Sequence, residues 1–234
     1  GAHGRAAASR YNPVHVPQIT QRKHGPMNDP EIHYDVLIVG AGNAACAAAL
    51  SAAERGVRIG LLEKAPRRDR GGNSALTGHM RFVFNGIEDL RPLVRNVTEA
   101  ELQGLIDRLP RRTEGDAWDE VMRVTSIQSD QSLLEVHVSQ SLSTMHWLAS
   151  KGQDWVPAVG PKALGDNILL MNGGGYGLQE RYYGQLDKAG VPVHYDTSAV
   201  ELIQDRRGAV CGVVALTAEG FVRFTAKAVI LACE

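Results

Sequence analysis

A glycine-rich turn near the start of the chain has the composition of a phosphate-binding site. Gly40, Gly42 and Ala45 have the spacing GxGxxA and follow the apolar run of residues 34–39. This spacing is typical of a turn whose backbone N–H groups approach the pyrophosphate of a dinucleotide. Gly40 allows the tight turn out of a strand, and Gly42 allows the close approach. Ala45 is small enough for the next helix to pack on the strand.

An acidic residue follows at the distance expected for a ribose partner. The Ala-rich residues 44–54 predict a helix that ends at Gly56 and whose N-terminus favours phosphate. Residues 57–62 predict a second strand, which ends at Glu63. A carboxylate there can accept hydrogen bonds from both ribose hydroxyls and would repel the extra phosphate of NADP. The pattern predicts a site for FAD or NAD, and a glycine-rich turn without a ligand is the alternative.

Two further glycine-rich loops are candidates for contact with the same ligand. The first contains Gly71, Gly72, Asn73 and Ser74, with Thr77 and Gly78 shortly after it. The second spans residues 173–177 and precedes a predicted helix over 178–188, whose N-terminus would favour an anion. For this second loop, a simple chain reversal is the alternative.

The composition of the chain excludes some classes of protein. Its 234 residues include 25 Lys and Arg and 26 Asp and Glu, which argues against a generally basic nucleic-acid binder. No apolar run approaches the ~20 residues that span a bilayer. The three cysteines, Cys46, Cys211 and Cys233, show neither a metal-ligand nor a disulfide pattern. We therefore expect no metal, a buried thiol at Cys46 and a reducing cytoplasm.

The hydrophobic pattern predicts one α/β domain with a mainly parallel sheet. Residues 1–32 are polar and rich in Gly and Pro, so we expect a flexible extension before a domain over 33–234. Residues 97–151 predict a helical segment, broken at Pro110 and Gly115, which packs beside the sheet. Hairpin signals near the end predict a β-meander. Besides the two strands above, predicted strands cover residues 80–84, 191–195, 199–204, 210–217, 221–225 and 228–231.

Several stretches of the sequence resemble a known family of flavoproteins. They are LLEKAPRRDRGGNS after the fingerprint, then TMHWLASKG, MNGGGYGL, VPVHYDTSAVELI and, at the end, AKAVILACE. Together they resemble the flavoprotein subunits of fumarate reductase and succinate dehydrogenase, and among these most closely the tricarballylate dehydrogenases. The resemblance extends from Tyr34 to the end and implies a Rossmann-like FAD-binding domain.

The resemblance also implies a set of residues that contact FAD. Those expected at the pyrophosphate, the ribose and the adenosine are Gly40, Gly42, Asn43, Ala44, Glu63, Lys64 and Ala199. Those expected along the isoalloxazine side are Gly72, Asn73, Ser74, Thr77 and Gly78, and Gly71 before them is also expected to bind the cofactor. Gly174 in the second glycine-rich loop, with Ala232 and Cys233 at the end of the last strand, completes the expected set.

The sequence departs from the family pattern at three places. Cys233 and Glu234 stand where the family has Thr and Gly. Residues 68–70 read Arg-Asp-Arg where covalent flavin attachment would use a His, so the resemblance implies non-covalent FAD. The family's substrate-binding His, Thr-Glu and Arg residues come after this last strand. We therefore expect the front part of a longer flavoenzyme, with the substrate clamp domain and the catalytic acid or base outside these residues.

The implied activity is hydride transfer between flavin N5 and a C–H bond next to a carboxylate. The substrate would be a small di- or tricarboxylate, and the partner an electron-acceptor protein or a quinone-linked protein. Arg81 is a candidate to attract the carboxylate, and a surface or ion-paired arginine is the alternative. His137 and His146 are interpreted as packing or surface residues. Three other functions stay open: a ketosteroid-type dehydrogenase, an FAD-binding module without activity, and an NAD-binding reductase domain.

Overall fold

The computed structural model describes residues 31–159 and 168–233 of the chain. The strands are β1 (Glu31–Val39), β2 (Ile59–Leu62), β3 (Phe84–Asn85), β4 (Arg111–Arg112), β5 (Trp155–Pro157), β6 (Leu169–Met171), β7 (Val193–His194), β8 (Ser198–Gln204), β9 (Val210–Thr217) and β10 (Gly220–Leu231). The helices are α1 (Asn43–Ala53), α2 (Ile87–Leu90), α3 (Glu99–Arg108), α4 (Glu114–Val124), α5 (Gln131–Ser150) and α6 (Gly174–Lys188). Short 3-10 helices cover Arg67–Asp69, Gly72–Leu76 and Arg91–Leu93.

Six of the strands form one sheet, in the order β7-β2-β1-β10-β9-β8. β7, β2, β1 and β10 run parallel, and β10, β9 and β8 form an antiparallel meander, as the sequence predicts. Val39 is in register with Leu62 on one side and with Leu231 on the other. The carboxyl ends of these three strands therefore meet at one edge of the sheet, and the segments that follow them lie side by side.

The central strand β1 is buried on both faces of the sheet. Ile38 belongs to a core that includes Ala45 and Ala49 of α1, all fully buried. Its neighbour Leu37 belongs to a second core with Phe224 of the meander. This alternation is that of a strand covered on both sides. Because the alanines are small, α1 packs closely on the sheet and begins beside the end of β1.

The predicted helical segment contains three longer helices with local N-terminal caps. Thr98 and Thr113 form capping boxes at α3 and α4, and Asp130 accepts hydrogen bonds from the backbone at the start of α5. The break predicted at Pro110 is confirmed, because this residue lies between α3 and α4. The break predicted at Gly115 is wrong. This glycine lies in the first turn of α4, where the capping box outweighs its low helix propensity.

Two elements begin elsewhere than predicted. The strand predicted over residues 80–84 is wrong, because the N–H of Val83 donates to Oγ of Ser141 (3.0 Å) and only the short β3 remains. The helix predicted from residue 178 begins at Gly174, inside the glycine-rich loop.

Within residues 31–159 and 168–233, no helix has the length and apolar character needed to cross a membrane.

The first and last strands of the chain, β1 and β10, are longer than predicted. The strands predicted over 221–225 and 228–231 are one strand, β10, because Ala226 between them continues the pairing with β1. β1 itself begins at Glu31 and so includes the last two residues of the predicted extension, 1–32. The rest of that extension lies outside the described residues.

A tyrosine–histidine pair ties β1 to β7 across β2. The Tyr34 hydroxyl lies 2.7 Å from Nε2 of His194, and a Cβ on Gly60 between them would approach the Tyr34 ring to 2.4 Å. The imidazole also packs edge-on against Phe224, with ring centroids 5.1 Å apart. Burial lowers the pKa of His194, which favours the neutral imidazole.

The stability of the fold is expected to depend on pH through His194. Because its pKa is lower in the folded chain, the unfolded state binds more protons as the pH falls below about 6.5. The free energy of unfolding should therefore decrease from about pH 7.5 to about pH 5.5, and decrease less in His194→Gln than in the wild type. Urea denaturation at several pH values measures both slopes. His33→Gln, which removes an exposed imidazole of β1, is the control. Equal slopes for His194→Gln and the wild type would contradict the prediction.

Candidate cofactor-binding site

The turn after β1 requires glycine at position 40, because any other residue would strain the backbone there. Gly40 has φ +107°, and a Cβ at this position would lie 2.4 Å from the carbonyl oxygen of Ala232. The N–H of Gly40 donates to the carbonyl of Leu62 (2.7 Å). The N–H of Ala232 donates to the carbonyl of Val39 (2.9 Å). The turn is therefore fixed from both strands beside β1, at the edge where the three strands end.

α1 begins directly after this turn without a carboxylate to balance its dipole. Gly42 is the N-cap and makes no side-chain cap bond of its own, and the first turn of the helix has no acid. The N–H of Asn43 donates to Oγ of Ser74 (3.0 Å). Oδ1 of Asn43 is buried and has no hydrogen-bond partner among the described residues. The positive helix end suits phosphate oxygens, and the unsatisfied amide oxygen suits a ligand hydroxyl, so a flavin dinucleotide fits both.

Glu63 is buried at the end of β2 and its backbone is held on both sides. Its N–H donates to the carbonyl of His194 (2.8 Å), and its carbonyl accepts from the N–H of Thr197 (2.9 Å). Its Oε1 accepts from the N–H of Ala65 (2.8 Å). A carboxylate held in one orientation is what a pair of ribose hydroxyls requires. The neighbouring Lys64 is exposed.

The loop of residues 71–78 lies against the turn after β1. Gly71 (φ +103°) and Gly72 (φ +50°) are both left-handed and lead the chain into the 3-10 helix. A Cβ on Gly42 would lie 3.1 Å from Oγ of Ser74. The two loops that the sequence predicts to share one ligand are therefore neighbours.

The second glycine-rich loop supports the first one. The N–H of Gly175 donates to the carbonyl of Thr77 (2.6 Å), and a Cβ on Gly175 would lie 2.2 Å from the carbonyl oxygen of Ser74. This glycine is therefore required by packing between the loops. Gly174 has φ +64°, and a Cβ there would lie 3.9 Å from the carbonyl oxygen of Thr77. The loop thus reverses the chain and at the same time holds the candidate flavin loop.

The remaining predicted site residues are exposed or half-buried. Ala199 is exposed near the start of β8, two residues after Thr197, which contacts Glu63. Thr77 and Gly78 are half-buried, and the carbonyl of Gly78 accepts from the N–H of Met171 (3.1 Å). Exposed residues of the predicted set also include Ala44, Gly72, Asn73 and Cys233.

The structure adds a group of residues that sequence reasoning missed. Nη2 of Arg70 donates to both carboxylate oxygens of Glu180 in α6 (2.8 and 2.9 Å). Nη1 of Arg70 donates to the Tyr195 hydroxyl (3.0 Å). Its guanidinium lies 4.0 Å from the ring centre of Tyr183, whose hydroxyl donates to the carbonyl of Ala41 (2.7 Å). The only sequence signal is the spacing of Glu180 and Tyr183, which puts them on one face of a helix. The Arg70 side chain is therefore largely buried and ion-paired.

Other candidate residues have structural partners. Arg81 pairs with Glu120 (3.2 Å), which favours the ion-paired alternative over a free carboxylate receptor. Nε2 of His146 lies 2.9 Å from the carbonyl of Asp89, in line with a packing role. Cys46 is fully buried as predicted, and burial raises the pKa of its thiol to about 12. The described ranges contain no cluster of three or more His, Cys, Asp or Glu that could hold a metal ion.

The two glycines of the turn are expected to differ in their tolerance of a side chain. Gly40→Ala should lower the free energy of unfolding by about 2–4 kcal/mol, because it combines left-handed strain with a backbone clash. Gly42→Ala is the matched control and should cost less than about 1 kcal/mol, because its backbone is extended and its neighbour is a movable hydroxyl. Urea denaturation without added cofactor measures both. Equal losses would mean that the turn is not constrained as described.

Comparison with known proteins agrees with this geometry. A family model described as an FAD binding domain matches residues 35–234. The chain is 30% identical over 183 residues to a vinyl phenol reductase of Lactiplantibacillus plantarum, a match that covers 77% of this chain and 33% of that protein. It is 32% identical over 209 residues to a urocanate reductase of Eggerthella lenta, with 85% and 31% covered. The chain thus spans about a third of the length of the curated relatives it matches.

A solved structure of similar fold gives the same assignment. The open conformation of a flavocytochrome c3 fumarate reductase superposes with a TM-score of 0.67 at 24% identity, over 86% of this chain and 33% of that one. Together with the match to the family model, these likenesses identify the sheet and its glycine-rich turn as a Rossmann-like FAD-binding fold. The chain belongs to the FAD binding domain family, whose model matches residues 35–234.

Proposed function

We propose that this chain is the FAD-binding part of an oxidoreductase that acts on a CH–CH bond of a small di- or tricarboxylate. The observation that carries the proposal is the strand edge at which Gly40, the N-terminus of α1 and buried Glu63 meet. Bound there, FAD supplies hydride transfer at its N5 atom. The polypeptide holds and orients the dinucleotide.

Each part of FAD has a proposed set of contacts at this edge. The turn and the start of α1 receive the pyrophosphate, and Glu63 accepts the ribose hydroxyls. Lys64 and Ala199 are proposed to contact the adenosine. Ala232 and Cys233, which directly follow β10, are also proposed to contact FAD. The residues proposed along the isoalloxazine side are Gly71, Gly72, Asn73, Ser74, Thr77, Gly78 and Gly174.

The cofactor is proposed to be bound without a covalent link. The position where a flavin-linking histidine would stand holds residues 68–70. Arg68 pairs with Asp69 (3.1 Å), and Arg70 is engaged with Glu180. Guanidinium groups stay protonated in proteins, so neither arginine is a nucleophile. This supports a dissociable FAD.

The substrate class is proposed from the names of the relatives. Urocanate, the fumarate of the flavocytochrome and vinyl phenol are small molecules with a carbon–carbon double bond, and the first two are carboxylates. A tricarballylate-like substrate is the finer proposal and rests on the sequence resemblance. An electron-acceptor protein or a quinone-linked protein would be the redox partner. The three free cysteines support a reducing cytoplasm.

The visible absorption spectrum of the purified chain, taken before and after acid precipitation, tests the cofactor. A two-band flavin spectrum that moves into the supernatant is expected for non-covalent FAD. Flavin colour that stays in the protein pellet would contradict non-covalent binding. A colourless protein that also fails to bind added FAD would contradict the proposed site.

Removal of the ribose partner is expected to weaken FAD binding. Glu63→Ala deletes a charge-assisted pair of hydrogen bonds, and we expect a loss of about 1.5–3 kcal/mol of binding free energy. Titration of FAD by flavin fluorescence measures it. Glu135→Ala, which removes an exposed carboxylate of α5, is the control for the change in net charge. An unchanged affinity of Glu63→Ala would refute the assignment of this residue.

A further inference from the structure

The turn after β1 is held from behind by a tyrosine of α6. The hydroxyl of Tyr183 donates to the carbonyl oxygen of Ala41 (2.7 Å), and both residues are buried. Sγ of Cys46 lies 3.4 Å from the same oxygen. The middle of the turn is therefore anchored to a helix that the chain forms more than a hundred residues later.

This bond controls the orientation of a backbone donor. The carbonyl of Ala41 and the N–H of Gly42 belong to one planar peptide group and point in opposite directions, because the bond is trans. When the Ala41 oxygen is held toward α6, the Gly42 N–H points away from α6. Gly42 is the N-cap of α1, where the proposed function locates the pyrophosphate.

Arg70 in turn fixes the ring of Tyr183. Its guanidinium lies over the ring at 4.0 Å and is itself held by Glu180 and by the Tyr195 hydroxyl. A planar cation fixed on both sides leaves the ring little freedom to rotate. Arg70 directly precedes Gly71, so the same residue connects the candidate flavin loop to α6.

The hydroxyl stays a donor under all ordinary conditions. Burial raises the pKa of Tyr183, so the proton remains on the oxygen across the neutral range. The adjacent Tyr182 is a natural comparison: it is fully buried in the same core, but its hydroxyl has no hydrogen-bond partner among the described residues. Only one of the two neighbouring hydroxyls is used to hold the turn.

We infer that Tyr183, held in place by Arg70, is a positioning residue that orients the Gly42 N–H toward the cofactor pyrophosphate. The affinity for FAD then depends on a hydroxyl that contacts the turn and not the cofactor. This inference rests on the proposed FAD site.

Tyr183→Phe tests the inference by removing only the hydroxyl. Its dissociation constant for FAD, measured by flavin fluorescence on the 234-residue chain, is expected to rise about three- to tenfold, the effect of one lost hydrogen bond. Tyr182→Phe is the matched control and is expected to bind FAD as the wild type does. Arg70→Lys keeps the positive charge but loses the planar guanidinium that lies over the Tyr183 ring. It should weaken FAD binding by a smaller factor than Tyr183→Phe does.

Competing probes separate positioning from a general loss of packing. ADP carries the pyrophosphate and should lose the same factor as FAD in Tyr183→Phe, whereas riboflavin carries none and should bind unchanged. Urea denaturation of the cofactor-free variants gives the fraction folded, by which each affinity is corrected. If Tyr183→Phe does not fold, the same ADP and riboflavin comparison on Arg70→Lys decides.

The inference is overturned if Tyr183→Phe binds FAD and ADP like the wild type. It is equally overturned if both tyrosine variants lose the same affinity, or if riboflavin binding falls as much as ADP binding. A wild-type chain that binds neither FAD nor ADP would overturn the proposed site and this inference with it. If the wild type binds FAD and ADP, and Tyr183→Phe binds them equally well, the inference is overturned and the proposed site stands.

Discussion

The parallel pairing of β1 with β2 and β10 is the constraint on which the rest of the site depends. It brings the ends of three strands to one edge, where Val39 is in register with both neighbours. The turn, the acid after β2 and the backbone after β10 are adjacent for that reason alone. Their chemistry follows from position: a helix end supplies positive charge and a strand end supplies a carboxylate. No single side chain of the edge would form a site by itself.

Much of this edge is predictable from sequence because it depends on near neighbours. The spacing of Gly40, Gly42 and Ala45, the alanines of α1 and the apolar run before them together predict strand, turn and helix in the right order. Glu63 is predicted in the same way, because it directly follows the next predicted strand. The predicted strand at 80–84 fails because Ser141, distant in sequence, takes the backbone donor of Val83. Which atoms contact FAD stays a prediction from the resemblance.

The supporting contacts are harder to predict because they join distant parts of the chain. Arg70 and Glu180 are 110 residues apart, and nothing local to either marks the pair. The need for a glycine at 175 comes from the carbonyl of Ser74, a backbone atom that carries no sequence signal. The continuity of β10 is likewise decided by β1, its partner 192 residues away. Sequence patterns therefore describe the face toward the ligand better than the framework behind it.

The close fit of Gly40 over Ala232 has a consequence for the order of events during synthesis. The turn is translated early, but the backbone that closes beneath it belongs to residues near position 232. A contact of such long sequence separation forms slowly, and on the ribosome it cannot form before its second partner has emerged. The edge that contains the turn is therefore completed only after the residues near position 232 have left the ribosome. Until then, β1 lacks the partner strand β10 on one of its two edges.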